Sequence, residues 1–322
     1  MNELSPYRFD VAAFGELVID LLPTRSGAGE RLYVAKPGGA PGNVAAGIAR
    51  LGMKAAMLSK VGPGAFGELL IETLCHTGVD TSGIRCSKSA PTALAVVSAH
   101  ATGDTDFVLY RDGAADTTFK AAELDLGIVR TSRVLHVGSL SLAAPPSAEV
   151  QRLAISEARQ AGALISADVN FRPSLWADRE AMLATGREAV ANADIVKVSE
   201  DELRALTGES EVTDGARLLW HGRLQVLAVT RGAMGAELFT ATHHARIAGF
   251  RVTVVDTVGC GDAYMAALLA GLLGRDHAAL TEGDLFRIGR AACAAGAVMA
   301  GTAGAMEAMP RRPEIEALLR SA

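Results

Sequence analysis

The chain has 322 residues, of which 49% are hydrophobic and 21% are charged, and its 31 basic and 36 acidic side chains leave a net charge of −5. This composition supplies a large core and excludes a disordered chain, and the negative charge argues against a nucleic-acid or membrane-surface partner. The first ten residues lack the order of a secretory signal, and the four cysteines show no CxxC pair or zinc-ligand spacing. We therefore expect a reduced, cytoplasmic protein.

Strand-like apolar runs alternate along the chain with helical patterns. In chain order, the predicted strands are 11–22, 55–61, 134–137, 163–168 and 195–198, and the predicted helices are 43–51, 66–77, 147–161, 179–191 and 201–206. Such alternation predicts an α/β fold with a central, mainly parallel sheet and helices on both faces. Because ligands bind beyond the carboxyl ends of strands in such sheets, residues just after strands are the first candidates for a site.

Two strand-like runs, 92–99 and 106–111, interrupt this alternation. The turn Thr102-Gly103-Asp104 joins them, which predicts a β-hairpin. With part of 20–34, this hairpin would form a small β-sheet lid. A second antiparallel patch is predicted within 226–256.

The chain shows neither an internal repeat nor a low-complexity linker. We interpret residues 1–322 as a single domain that carries a β lid built from parts of 16–34 and 92–118. The exposed edge of that lid could pair across a homodimer.

Residues 254–264 carry the strongest chemical signal. They predict a β-branched strand, a turn that contains Gly259 and Gly261, and the start of a long apolar helix. Glycine N–H groups and a helix N-terminus would together form an anion hole. Asp262 stands in this hole, where it either caps the helix or accepts a hydroxyl proton during phosphoryl transfer. The pattern GxxxxGK does not occur, so the chain is not a P-loop enzyme.

The motif DTVGCGD at 256–262 and seven further segments resemble, in their order, the ribokinase-like (PfkB) family of carbohydrate kinases, and within it the bacterial fructokinases. The other segments are GELVID at 15–20, GGAPGN at 38–43, YR at 110–111, DVNFR at 168–172, KVSEDE at 197–202, TRGAMG at 230–235 and GA at 304–305. The resemblance covers nearly the whole chain. It implies a ribokinase-like fold and phosphorylation of a sugar, D-fructose first, by ATP with Mg²⁺ and K⁺.

The resemblance also implies a role for individual residues. Asp262 would be the catalytic base, and the backbone of Gly259, Cys260 and Gly261 would form the anion hole. The residues implied to bind the sugar are Glu16, Asp20, Gly38, Gly39, Asn43, Arg111, Asn170 and Arg172, with Arg111 reaching over the substrate from the lid. The residues implied to bind ATP are Lys197, Ser199, Glu202, Thr230, Gly232 and Gly235. Glu202 would also act on Mg²⁺ through water, and Asp256 would contribute to a K⁺ site.

Several of these residues have a local structural interpretation as well. Glu16 and Asp20 are four residues apart and would share one face of a strand. The polar residues of 168–172 are spaced by two, so an extended backbone would point them the same way. Asn43 would cap the helix that follows it, and 199–202 has the spacing of a capping box.

Cys260 stands where the family commonly has alanine. The helix N-terminus would lower the pKa of its thiol, so we expect alkylating agents to inactivate the enzyme and ATP to protect it. The loop at 61–67 lacks the acidic residues usual in the family, which leaves it without an implied substrate role.

Other functions stay open at this point. The sequence GPGAFG at 62–67 lies between a predicted strand and helix, and with Asp80 it suggests an NAD-binding oxidoreductase. A non-catalytic sugar sensor on a kinase fold is a second alternative. Within the kinase family, 2-keto-3-deoxygluconate, aminoimidazole riboside or a nucleoside could replace fructose as the substrate.

Overall fold

The chain folds around a nine-stranded sheet, and a smaller four-stranded sheet accompanies it. A computed structural model describes residues 7–27, 29–99, 105–143, 145–173, 176 and 178–321, and the side chains of these residues outside 97–99 and 105–107. The strands are β1 (Phe9–Phe14), β2 (Val18–Arg25), β3 (Arg31–Gly38), β4 (Ala55–Val61), β5 (Ile84–Cys86), β6 (Ala93–Ala99), β7 (Thr105–Tyr110), β8 (Ser132–Gly138), β9 (Leu164–Asp168), β10 (Ile195–Ser199), β11 (Val226–Thr230), β12 (Gly235–Phe239) and β13 (His244–Ala248). The helices are α1 (Ala40–Arg50), α2 (Ala65–Thr77), α3 (Leu126–Arg130), α4 (Ser147–Gln160), α5 (Arg179–Ala191), α6 (Glu200–Thr207), α7 (Val212–Leu219), α8 (Cys260–Leu272), α9 (Glu282–Ala300) and α10 (Arg312–Ser321).

The large sheet has the order β13-β12-β11-β10-β9-β8-β1-β4-β5. Its strands run parallel from β5 to β11, and β12 and β13 add an antiparallel edge. The predicted α/β fold is therefore confirmed, and the antiparallel patch predicted after residue 226 belongs to this sheet.

Two apolar layers cover the faces of the large sheet. Successive residues of β1 alternate between them, with Val11 and Ala13 in one layer and Ala12 and Phe14 in the other. The first layer includes buried residues of α1, α8 and α9, and the second includes those of α4, α5 and α7. Because apolar side chains cover both faces of the sheet, polar side chains gather at the carboxyl ends of its strands.

The small sheet has the order β3-β2-β6-β7, with β2 and β6 parallel and the other pairs antiparallel. It supplies the predicted β lid, and the proposed turn at 102–104 lies outside the described residues. The single strand predicted at 11–22 is wrong, because the chain leaves the large sheet after Phe14 and enters the small sheet at Val18. Glu16 lies in this crossing and does not share a strand with Asp20.

The strand predicted before Gly259 is also wrong. Residues 249–259 belong to no strand, and the side chains of Val254 and Val255 are each 60% exposed. None of the helices in the described ranges is long and apolar enough to cross a membrane.

Candidate active site

A cleft of about 410 Å³ opens at the carboxyl ends of β8, β9 and β10. The small sheet contributes Ala95 and Leu109 to its wall, so the lid faces the same cleft. The predicted residues that line it are Glu16, Asp20, Gly39, Asn43, Asn170, Arg172, Lys197, Gly259, Gly261 and Asp262. The fold thus brings together residues from both ends of the chain.

Asp262 is the third residue of α8 and is only 8% exposed. Its side chain does not cap the helix; instead its Oδ2 accepts a hydrogen bond of 2.7 Å from Nδ2 of Asn43. Burial raises the pKa of Asp262 to about 6 and the charge of Asp168 acts in the same direction, whereas the Asn43 hydrogen bond and Lys197 lower it. The carboxyl is therefore mainly ionised at neutral pH and can accept a proton.

Two helices begin beside the cleft at glycines, without a side-chain cap. Helix α1 starts after Gly39 and α8 after Gly259, so no side chain occupies the first N–H groups of either helix. Gly259 and Gly261 line the cleft, as an anion hole requires. Cys260 departs from the expectation, because its N–H donates to the carbonyl of Thr257 at 3.4 Å and it does not line the cleft.

Asp168 and Lys197 form a buried ion pair on adjacent strands. The ammonium Nζ lies 2.8 and 2.7 Å from the two carboxylate oxygens. Burial lowers the pKa of Lys197, but the charges of Asp168 and Glu202 more than offset this, and the pKa is raised. A permanent cation consequently stands beside Gly261, within reach of the anion hole.

Asn170 and Arg172 lie in the cleft, although not for the predicted reason. Strand β9 ends at Asp168, and Asn170 has a left-handed backbone with φ of 45°, so the extended spacing is wrong. Nη1 of Arg172 donates to Oδ1 of Asn170 at 2.6 Å. The two side chains therefore act as one unit at the cleft.

The two glycines before α1 make room for Glu16 of the β1–β2 crossing and for Asp20 of β2. A Cβ on Gly38 would collide with the Asp20 carboxylate, and Gly39 has φ of 109° and packs against the backbone of Glu16. Burial raises the pKa of Glu16 to about 7 and that of Asp20 to about 6. Asn43 lies inside α1, so its predicted capping role is wrong.

Arg111 does not reach over the cleft. Its guanidinium is buried, with Nε donating to Oδ2 of Asp116 at 2.6 Å and Nη1 donating to the carbonyl of Leu140 at 3.1 Å. Leu140 and Glu16 line the cleft, but Arg111 does not. It lies at the base of the lid, one residue after β7.

The residues assigned to ATP lie in β10 and β11 or shortly after these strands. The capping box is confirmed, since the Ser199 hydroxyl accepts from the N–H of Glu202, and Glu202 accepts from the N–H groups of Ser199 and Phe171. Thr230 ends β11, and Gly232 and Gly235 form the predicted tight turn into β12. Apart from Lys197, none of the residues assigned to ATP lines the cleft described above.

The expectation of a lowered thiol pKa at Cys260 is wrong. Burial raises this pKa to about 11, and the charges of Asp256 and Asp262 act in the same direction. We therefore expect iodoacetamide at pH 7.5 to modify the exposed Cys75 and Cys86 long before Cys260. Peptide mapping of a time course would measure the order, and preferential labelling of Cys260 would contradict this assignment.

Sequence reasoning missed a buried titratable residue of the cleft, His136 of β8. Its Nδ1 lies 3.0 Å from the hydroxyl of Ser166, and burial together with the charge of Lys197 lowers its pKa to about 3. It is therefore a neutral polar group on the cleft floor. Its position two residues before the end of a buried strand was the available signal.

Comparison with known proteins places the chain in a family. Residues 8–312 match the family model described as pfkB family carbohydrate kinase. The chain belongs to this family. The predicted kinase class is thereby confirmed, and the protein is a phosphotransferase that acts on a carbohydrate.

Its relatives include fructokinases. The chain is 38% identical to fructokinase-2 of Solanum lycopersicum over 314 residues, which cover 96% of both chains. The ATP-bound fructokinase of Xylella fastidiosa superposes with a TM-score of 0.90 at 32% identity, over 99% of both chains. A fructokinase of Vibrio cholerae, solved with fructose, ADP and calcium, has a TM-score of 0.84 at 30% identity, over 97% of this chain and 99% of that one.

In this fold the segment 62–67 has a packing role. A Cβ on Gly62 would collide with the backbone of Thr92, and one on Gly67 with the carbonyl of Gly62. Asp80, the acid of the dinucleotide interpretation, bonds to Arg8 and Ser82 and pairs with Ala56 near the start of β4.

Proposed function

We propose that the protein transfers the γ-phosphoryl group of ATP to the 6-hydroxyl of D-fructose. The observation that carries this proposal is Asp262, a buried carboxylate oriented by Asn43 at an uncapped helix N-terminus in a polar cleft. The relatives named above, one bound to ATP and another to fructose and ADP, support the same pair of substrates.

In the proposed reaction, Asp262 accepts the proton of the sugar hydroxyl while the hydroxyl oxygen bonds to the γ-phosphorus. The bond from this phosphorus to the bridging oxygen breaks, and ADP leaves. The N–H groups of Gly259 and Gly261 and the cations Lys197 and Arg172 would stabilise the charge on the transferring group. Asn43 keeps the carboxylate in position.

The sugar would lie between Asp262 and the β1–β2 crossing. Asp20 and Glu16 are acceptors along this path, and the Oδ1 of Asn43 is buried without a partner within the described residues. Gly39 lets the chain pass close to the ligand, and Gly38 leaves space for Asp20. Asn170 would approach the sugar from the opposite wall.

The nucleotide would extend from the anion hole over the ends of β10 and β11. Lys197 would meet the phosphates, with Ser199, Thr230, Gly232 and Gly235 forming the surface beyond it. Glycine at the turn permits close approach of phosphate to the backbone.

Magnesium and potassium belong to the same proposal. Within the described residues, no group of three His, Cys, Asp or Glu side chains is arranged to hold a metal ion, which fits Mg²⁺ held mainly by ATP phosphates and water. Glu202, fixed by two backbone N–H groups, would orient such a water. The oxygen donors around Asp256, whose Oδ1 accepts from the N–H of Val258 at 3.0 Å, suit K⁺. Bound Mg²⁺ would neutralise charge on the transferring phosphoryl group.

Activity should fall on acidification. A base with a pKa of about 6 is protonated below that pH and cannot accept a proton, so kcat/KM should drop about tenfold per pH unit below pH 6. Initial rates from pH 5 to 8 would measure this limb. A rate independent of pH down to pH 5 would contradict the assignment.

The substrate is tested by ADP release with a panel of about a dozen sugars. We expect the highest kcat/KM for D-fructose, with 2-keto-3-deoxygluconate, aminoimidazole riboside, ribose and nucleosides as comparisons. A different sugar preferred over fructose by tenfold would replace the proposed substrate. Absence of ADP release with every sugar, in the presence of Mg²⁺ and K⁺, would reject the proposed reaction.

We further propose that the lid pairs with a second copy of the chain. Apolar side chains are exposed on its two outer strands, Leu32, Tyr33 and Val34 on β3 and Val108 and Tyr110 on β7. Such strands favour edge pairing. Light scattering after gel filtration should give twice the chain mass, and Val34→Glu should shift it to a monomer; a monomeric parent protein would contradict this.

A further inference from the structure

The end of the cleft beside the base of the lid contains buried polar atoms without partners. Within the described part of the chain, Oε2 of Glu16, Nη2 of Arg111 and Oδ1 of Asp116 are buried and make no hydrogen bond. Buried polar groups are normally satisfied, and an unsatisfied one is costly. Of the three residues, Glu16 lines the cleft directly.

Arg111 lies behind this end of the cleft and does not line it. Its contacts with Asp116 and with the carbonyl of Leu140 fix two of its nitrogens behind the cleft wall. Asp116 is itself buried, in a 3₁₀ turn, so the pair is locked in the protein interior. In this position the guanidinium cannot pair with a carboxylate on a bound ligand.

The guanidinium of Arg111 is consequently not available to a ligand. It is bound by Asp116, and Glu16 adds a second carboxyl group at this end of the cleft. The largest charge effects on the pKa of Glu16 come from Arg111, Asp116 and Arg172, whereas Asp262 raises the pKa of Asp20. Glu16 and Leu140, whose carbonyl holds Arg111, mark the end of the cleft beside the base of the lid.

Lys197 also lines the cleft but is paired with Asp168, and Arg172 does not alter this conclusion either. It is exposed and bonded to Asn170, and its charge acts on Glu16, Asp20 and Asp262 alike. It is not dedicated to the end of the cleft at Glu16. A ligand carboxylate at this end would meet Glu16 and not a dedicated cation, and burying a carboxylate without a partner is costly.

We propose that Asp116 is a specificity-determining residue: by holding Arg111 behind the wall, it makes the cleft select a neutral ketose over a sugar acid of the same length. The inference rests on the proposed sugar kinase function and refines its substrate class. A hydroxyl at the end of a neutral sugar can donate to Glu16, which a carboxylate cannot do. Asp116 acts through Arg111 and does not touch the sugar.

The test compares D-fructose with 2-keto-3-deoxygluconate, which carries a carboxylate at the end opposite its reacting hydroxyl. We expect the parent enzyme to favour fructose by about 100-fold or more in kcat/KM, since burial of a ligand carboxylate without a cationic partner is strongly unfavourable. Asp116→Asn and Asp116→Ser should each reduce that ratio by about tenfold or more, mainly through a lower KM for the acid. Adding Arg111→Met to Asp116→Asn should abolish the gain.

A matched control changes an ion pair outside the cleft. Lys60 and Glu123 pair at 2.8 Å, and Glu123→Gln should leave the substrate ratio within about twofold. Thermal melting would show which variants fold, and calorimetric binding of the two sugars gives the preference without turnover.

The outcomes separate the two proposals. An unchanged ratio in both folded Asp116 variants, or a parent enzyme that uses or binds the acid as well as fructose, would overturn the specificity role. If the parent enzyme phosphorylates none of the sugars, the proposed function is overturned. Sugar binding by the parent enzyme and by the Asp116 variants would then still decide the role of Asp116. Failure to bind either sugar would overturn both.

Discussion

Replacing Asp262 with Asn is expected to lower kcat by about 10²–10⁴-fold, the range for loss of a general base, with little change in fructose binding. The amide keeps the size of the side chain and its contact with Asn43, but it cannot accept the hydroxyl proton. Steady-state kinetics with fructose would measure the loss. The residual activity should also lose its acid limb near pH 6.

Helix α9 offers a matched control for this substitution. Asp284 is the third residue of α9, as Asp262 is of α8, but it is only partly buried and completes a capping box with Thr281. Asp284→Asn should leave kcat within about twofold, since Asp284 contacts Thr281, Arg287 and Arg275 and does not line the cleft. Near-normal turnover in Asp262→Asn would contradict the assignment of the base.

Replacing Lys197 with Met should destabilise the protein by about 3–5 kcal/mol, because it leaves the buried Asp168 carboxylate without its partner. Denaturant unfolding would measure the free energy of unfolding. Adding Asp168→Asn to Lys197→Met should restore part of the loss, since the unpaired charge is then removed as well.

The exposed pair of Arg217 and Asp214 provides the comparison. Arg217 is 79% exposed at the side chain, and Arg217→Met should change the free energy of unfolding by less than about 0.5 kcal/mol. A similar small change for Lys197→Met would show that the Asp168–Lys197 pair is not buried as described.

The main elements of the fold could be predicted from periodicity and from glycine and proline positions. The bounds of β4 and α5 agree with the predicted 55–61 and 179–191. The prediction of a single strand at 11–22 was wrong because both halves of this segment are apolar, and periodicity does not show that the halves enter different sheets. The prediction of a strand at the valines before Gly259 was wrong because β-branched residues favour strands only where neighbouring residues pack against them.

Most residues of the site could be predicted from the sequence, but the contacts between them could not. The motifs identified Asn43 and Asp262 separately. The hydrogen bond between them could not be predicted, because it joins residues far apart in the sequence. Arg111 was identified without its partner Asp116, because that ion pair depends on how the turn after β7 packs. His136 was missed since a single buried histidine has no characteristic spacing.

The central claim is that Asp262 takes the proton of the attacking hydroxyl. A crystal structure with fructose and a non-hydrolysable ATP analogue tests it most directly. We predict a carboxylate oxygen of Asp262 about 3 Å from the 6-hydroxyl, which itself faces the γ-phosphorus. A complex in which this carboxylate lies beyond hydrogen-bonding reach of the sugar would contradict it.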